Sequence, residues 1–245
     1  MSSIERVIDR QLRKWELEKS LRVGRRAEHP EATEPRPVIT VSRERGSGGT
    51  IVADHVAGRL GYTLLHRDVI DRISQSTGTR RQIIESLDER VKPQVTIWFE
   101  SMLNLNYVDS SDYVRNLLET ITSIARLGGV VVVGRGANFM IPLHEALHVR
   151  IVAPRELRVQ RVMETTGKAR REAEREVDEV DHERREFVRH LAGRDIDDPR
   201  AYDLVVNTGE LSIEAATGLV VDAAFGKFAR LRAAAHEDEP AVRAG

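Results

Sequence analysis

The 245 residues contain no cysteine, which excludes disulfides, thiolate zinc sites and a cysteine nucleophile. Aromatic residues are scarce at 4%, so any aromatic cluster marks a place to look. An excess of one charge is missing too. Lys and Arg number 38 against 39 Asp and Glu, a net charge of -1, which offers no global attraction to nucleic acid or an anionic membrane. Basic groups must therefore act locally, and without a basic-aromatic array a nucleic-acid partner is not expected. No stretch approaches the roughly 20 apolar residues of a membrane span. The opening MSSIERVIDRQLRKWELEKS carries charges where a signal peptide needs its apolar segment. The expectation is a cytoplasmic protein without a membrane partner.

What is present is a chain with 40% hydrophobic residues, long enough for one main domain with a substantial core. Residues 3–22 place Ile4, Val7, Ile8, Leu12, Trp15 and Leu21 at mostly helical spacing, so an amphipathic helix is expected, packed on its own domain or on a second subunit. EHPEATEPRP, with three prolines in ten residues, reads as a linker. The expected organisation is an N-terminal helix and linker over 1–37, a main domain over 38–228 and a flexible tail over 229–245. Within the main domain, a helical insert is expected at about 74–128 and a lid at about 164–200.

Apolar β-branched runs recur in PVITVS, in YTLLHRDVIDRI, at 130–134 (VVVVG), at 147–153 (LHVRIVA) and at 202–208 (YDLVVNT), each followed by a loop or helix signal. Such runs alternating with helices imply a buried parallel sheet in an α/β fold.

The stretch VSRERGSGGT, residues 41–50, lies between the first strand and a helix. A phosphate-binding loop works because small residues let backbone N–H groups turn onto phosphate oxygens while the next helix presents its positive end. Gly46, Gly48 and Gly49 supply that freedom. With Thr50 registered on the metal-binding hydroxyl of G-x-x-x-x-G-K-[ST], Gly49 falls on the lysine and Arg43 on the first glycine. The loop thus lacks its lysine. Arg43 and Arg45 flank it and could supply the charge, since a guanidinium fork matches phosphate oxygens. Alternatively both are solvated and answer Glu44.

Taken together, ITVSRERGSGGTIVADHVAGRLGYTLLHRDVI, VVVVGRGANFMIP, VRIVAPRELRVQRVMETTG and DHERREFVRHLAGRDIDDPRAYDLVVNTGELSIEAA resemble the cytidylate kinase-like family of P-loop proteins. The resemblance implies a P-loop NTPase-type parallel five-stranded sheet flanked by helices, with a helical insert and an arginine-bearing lid. It also implies transfer of the ATP γ-phosphoryl group, with Mg²⁺, to a nucleoside monophosphate such as cytidylate. Ser42, Arg43, Glu44, Gly46, Ser47, Gly48 and Gly49 match the family's lysine-free loop. Thr50 stands where an arginine is expected and restores a hydroxyl for Mg²⁺. Arg135 matches an acceptor-binding arginine, and Val133 replaces an aspartate, leaving Glu44 or Asp68 as carboxylates for metal or acceptor. Asp181 and Arg184 match the lid's Asp-x-x-Arg, with Arg185 a second cation, and such arginines offset charge in phosphoryl transfer. The competing reading is an exposed helix with an Asp181–Arg185 i, i+4 pair.

Arg161, ahead of Arg158, is expected on phosphate, and Asn207 with Thr208 near the donor base. His66 ends the second strand without an assigned role. Two functions stay open. One is a phosphotransferase in which Arg43, Arg184 and Arg185 are catalytic. The other is a nucleotide-binding regulatory or interaction protein that has lost transfer. A homo-oligomer or a protein partner is allowed for, through the N-terminal helix or the insert, where Trp98, Phe99 and Tyr107 cluster.

Overall fold

The computed structural model describes residues 2–25, 37–87 and 112–237. The β-branched runs form five strands, β1 (Val38–Arg43), β2 (Thr63–Leu65), β3 (Val130–Val133), β4 (Ala146–Val152) and β5 (Leu204–Asn207). They pair in the order β2-β3-β1-β4-β5, every pair parallel. Parallel neighbours need long crossovers, and helices provide them. These are α2 (Gly49–Leu60), α3 (Arg67–Gln75), α4 (Thr77–Ser86), α5 (Asp112–Leu127), α6 (Ala137–Met140), α7 (Arg155–Thr166), α8 (Arg170–Ala192) and α9 (Ile213–Glu237), preceded by α1 (Ser3–Arg25). A glycine loop after the first, central strand of a parallel five-stranded sheet is the P-loop NTPase-type arrangement expected from the sequence. Trp98, Phe99 and Tyr107 lie outside the described residues.

The period-2 alternation of strands decides the layers. Val131 and Val133 pack with Val52, Val56, Ala216 and Val220 from α2 and α9. Val130 and Val132 pack on the other side with Ile70, Leu117, Ile121 and Trp15 from α3, α5 and α1. All four residues of β3 are buried, which is why the run reads as continuous valine. Helix α1 uses its apolar stripe within the chain. Ile8, Leu12 and Trp15 are buried in the second cluster, and the Trp15 indole donates to the Gly128 carbonyl at 3.1 Å.

One face of the β1–β4 pair grades from apolar to polar. Val38 stands beside Ala146, Thr40 beside His148 and Ser42 beside Arg150. The gradient ends at the carboxyl edge, where open α/β sheets bind ligands. His148 is fully buried. Its Nε2 lies 3.1 Å from the Ile141 carbonyl, which only accepts, so the ring proton sits there and Nδ1 accepts from the Thr40 hydroxyl at 2.6 Å. Burial lowers its pKa to about 4, against an opposing pull from Asp203. The unfolded chain therefore takes up this proton first, and stability is lost as pH falls from about 6.5 toward 4, on the order of 3 kcal/mol in total. Urea titrations from pH 7 to pH 4 should show this loss for the wild type and a smaller one for His148→Gln. Equal losses would remove His148 from the account.

Candidate functional site

The loop between β1 and α2 is built by close approach. Gly46 and Gly48 have φ of +81° and +79°, a region open to glycine at no steric cost. A Cβ on Gly46 would sit 2.5 Å from the Arg158 carbonyl oxygen, and one on Gly49 would sit 2.6 Å from the Arg43 Cβ. The Ser47 amide and hydroxyl both donate to the Glu44 carbonyl. Among the described residues the amides of Gly46, Gly48 and Gly49 have no hydrogen-bond acceptor. Thr50 is exposed on the first turn of α2, whose positive end faces the same space.

Beside the loop, four arginines converge. A cavity of about 210 Å³ is lined by Ser42, Arg43, Arg67, Gly134, Arg135 and Arg184, with Glu183 and Phe187 completing the wall. Arg43, the last residue of β1, lies against Gly134, where a Cβ would stand 2.5 Å from its Nη1. Its Nε is buried with no acceptor, and no carboxylate among the described residues pairs with its guanidinium. Burial first, and then the charges of Arg184, Arg67 and Arg135, pull its pKa down from the ordinary guanidinium value to about 9. Burial likewise lowers that of Arg184, with Asp181 opposing. Arg43, without a carboxylate of its own, carries a charge that a bound anion would stabilise.

Arg135 adopts φ of +54°, the sole non-glycine residue with positive φ among those described. Such strain gathers at functional sites. It is held by Asp71, on which both Nε (2.6 Å) and Nη2 donate. The Tyr113 hydroxyl donates to the same carboxylate at 3.1 Å, and the guanidinium lies 5.0 Å from the Phe187 ring centroid. Asp68, expected as a carboxylate for metal or acceptor, is exposed and paired with Arg67 at 3.4 Å, while Asp71, one turn further along α3, meets Arg135. The i, i+3 spacing in RDVIDR was the available signal.

Helix α8 closes over the loop through Asp181. One of its oxygens accepts from the Arg45 amide at 2.7 Å, the other from Arg158 Nη1, and Arg184 adds a third contact at 3.4 Å. Arg184 also donates to the Arg43 carbonyl at 2.9 Å. The exposed-helix reading is thereby corrected. Asp181 is buried and pairs across the fold, whereas Arg185 stands 3.9 Å from Asp197, outside the lining of the cavity. Arg45 answers Glu176 at 2.6 Å in place of Glu44. Glu44 is occupied as well, accepting from the Ala153 amide at 2.9 Å with Arg158 at 3.3 Å. Arg161 donates to the Thr208 hydroxyl and carbonyl, and Thr208 donates to the Ser47 carbonyl at 2.7 Å, tying β5 to the loop. The Asn207 side chain is exposed and accepts from the Gly209 amide. His66, also exposed, precedes α3.

The glycine loop, the arginine cluster and α8 all fall within residues 38–210, which match the family described as Cytidylate kinase-like family. Among curated proteins, a cytidylate kinase of Pyrococcus horikoshii is 29% identical, over 85% of this chain and 93% of that protein. One of Pyrobaculum arsenaticum is 28% identical over 76% and 91%. Among solved structures, an uncharacterized protein from Eubacterium ventriosum superposes with a TM-score of 0.62 at 20% identity, covering 78% of this chain and 99% of that one. That last likeness speaks to the fold alone.

Proposed function

The chain belongs to the cytidylate kinase-like family, and on that footing we propose that it transfers the γ-phosphoryl group of ATP to a nucleoside monophosphate. The observation that carries this reading is Arg43, a half-buried guanidinium whose Nε is buried and unpartnered, without a carboxylate partner and crowded by three further arginines. In a kinase with a lysine in its loop, that lysine meets the phosphates as a point charge. Here the proposed substitute is Arg43, approaching from the strand end.

In this reading the amides of Gly46, Gly48 and Gly49 and the start of α2 hold the donor phosphates. Arg135, braced by Asp71, holds the acceptor phosphate. An oxygen of that phosphate attacks the γ-phosphorus, the bond to the β–γ bridging oxygen breaks, and ADP leaves. The attacking oxygen is already anionic, so no base has to remove a proton. Arg43 and Arg184 offset charge on the transferring group, and positioning with electrostatics suffices for such a reaction. Mg²⁺, when bound with the nucleotide, neutralises phosphate charge. The Thr50 hydroxyl is the side chain available to it, since the Glu44 carboxylate is engaged and the described residues hold no metal-ligating cluster.

A second reading, nucleotide binding without transfer, draws on Asp181. Its carboxylate occupies the Arg45 amide at 2.7 Å, where an anion-binding loop would otherwise be open. The two readings separate in one assay. Full-length protein is incubated with labelled ATP, Mg²⁺ and a panel of nucleoside monophosphates, alongside Arg135→Ala and Arg184→Ala. Transfer to one acceptor, abolished in both variants, is expected. ATP binding with no transfer to any acceptor would sink the kinase reading in favour of the second.

A further inference from the structure

Next to the arginine cluster lies a larger cavity of about 480 Å³, within the size range of small-molecule sites. The two share one residue, Asn138. Arg135 and Gly136, both at positive φ, turn the chain abruptly after β3 and bring Asn138 into the one-turn helix α6. Asn138 is 9% exposed, yet its Nδ2 has no hydrogen-bond partner among the described residues. The nearby Tyr202 phenol feels the Asn138 amide and donates to the Ile196 carbonyl at 2.8 Å, but its oxygen is not in hydrogen-bond geometry with Nδ2. A buried amide donor left open is costly and calls for an explanation.

We infer that Asn138 selects the acceptor, its side-chain amide donating to a hydrogen-bond acceptor on the non-phosphate part of that molecule as it lies in the larger cavity. The inference rests on the kinase reading for the phosphate end. The walls narrow the chemistry. Leu118, Phe139, Met140 and Leu191 present apolar surface, while of the charged lining residues Asp198 and Arg200 pair with each other at 2.9 and 3.0 Å and Arg194 and Asp195 are exposed. A flat heterocycle can lay its faces on the apolar side chains and turn an acceptor atom toward Asn138, with its sugar toward the polar side.

The test compares wild type, Asn138→Leu and Asn138→Asp as full-length chains, by calorimetric titration with CMP, UMP, AMP, GMP and ribose 5-phosphate, and by thermal melting. In the wild type at least one nucleotide should bind tenfold or more tightly than ribose 5-phosphate, which has the phosphate and no ring. Asn138→Leu should erase that advantage, leave ribose 5-phosphate affinity unchanged and melt no lower than wild type, because an unmet buried donor has been removed. Asn138→Asp keeps the shape, loses the donor and should bind the nucleotide as weakly. An advantage that persists in both variants overturns the inference, as does an equal loss for every ligand or a large drop in melting temperature. Binding of ribose 5-phosphate as tightly as any nucleotide overturns it while sparing the phosphate site. Failure of every probe to bind the wild type sinks the kinase reading together with it.

Discussion

Replacing Arg43 with alanine is expected to lower kcat for phosphoryl transfer by about 10³-fold while leaving the folded protein at least as stable. Functional sites commonly hold groups that cost stability, so loss of activity and gain of stability can go together. The guanidinium lies among Arg184, Arg67 and Arg135, with its Nε buried and unbonded, so without an anion it opposes folding. Burial and the neighbouring arginines hold its pKa below the ordinary guanidinium value, yet a guanidinium stays protonated wherever the protein is folded, so the cost of this charge is present at every working pH and is lifted by a bound anion. Steady-state rates and thermal melts of Arg43→Ala check both halves. A rate within tenfold of wild type, or a melt several degrees lower, would remove Arg43 from the centre of the site.

The second large effect belongs to Asp181. Asp181→Ala should destabilise the protein by about 3 kcal/mol, the lower end of the cost of breaking a buried ion pair, because Glu44 at 3.3 Å stays beside Arg158. Arg158, only 10% exposed at its side chain, would lose its closest carboxylate, and the Arg45 amide and Arg184 would each lose a contact. Because the two side chains meet directly, Asp181→Leu combined with Arg158→Met should cost less than the sum of the two single changes. Urea unfolding of the two single variants and the double variant closes the cycle. Additive losses would mean that Asp181 and Arg158 act independently, contrary to their direct contact.

The strands β1, β3 and β4 were legible because each is a short apolar run, rich in β-branched residues and buried on both faces, while the edge strands β2 and β5, partly exposed, were legible from their place before a loop or helix signal. The glycine loop was legible from residue type and position, and so were Arg135 and Arg184 through the family resemblance. Partner choice was not. RDVIDR offers Asp68 and Asp71 on one helix, and only the direction of the helix against β3 decides which meets Arg135. DHERR offers an i, i+4 pair, yet Asp181 turns inward to Arg158 from another helix, because a buried carboxylate takes the charges that surround it in space. Asn138 left no mark in the sequence. An amide looks the same whether its donors are satisfied or idle, and only the packing around it tells the two apart.

The seating of Trp15 on the Gly128 carbonyl has a consequence for how the protein must be handled. The stretch that matches the family begins at residue 38 and ends at 210, whereas α1 before it and α9 after it each fill one side of the sheet. The hydrophobic core is thus larger than the matched stretch. A fragment trimmed to residues 38–210 would keep every arginine of the cluster. It would also bare Ile70 on one face and Val52 and Val56 on the other to water, and aggregate before its chemistry could be measured.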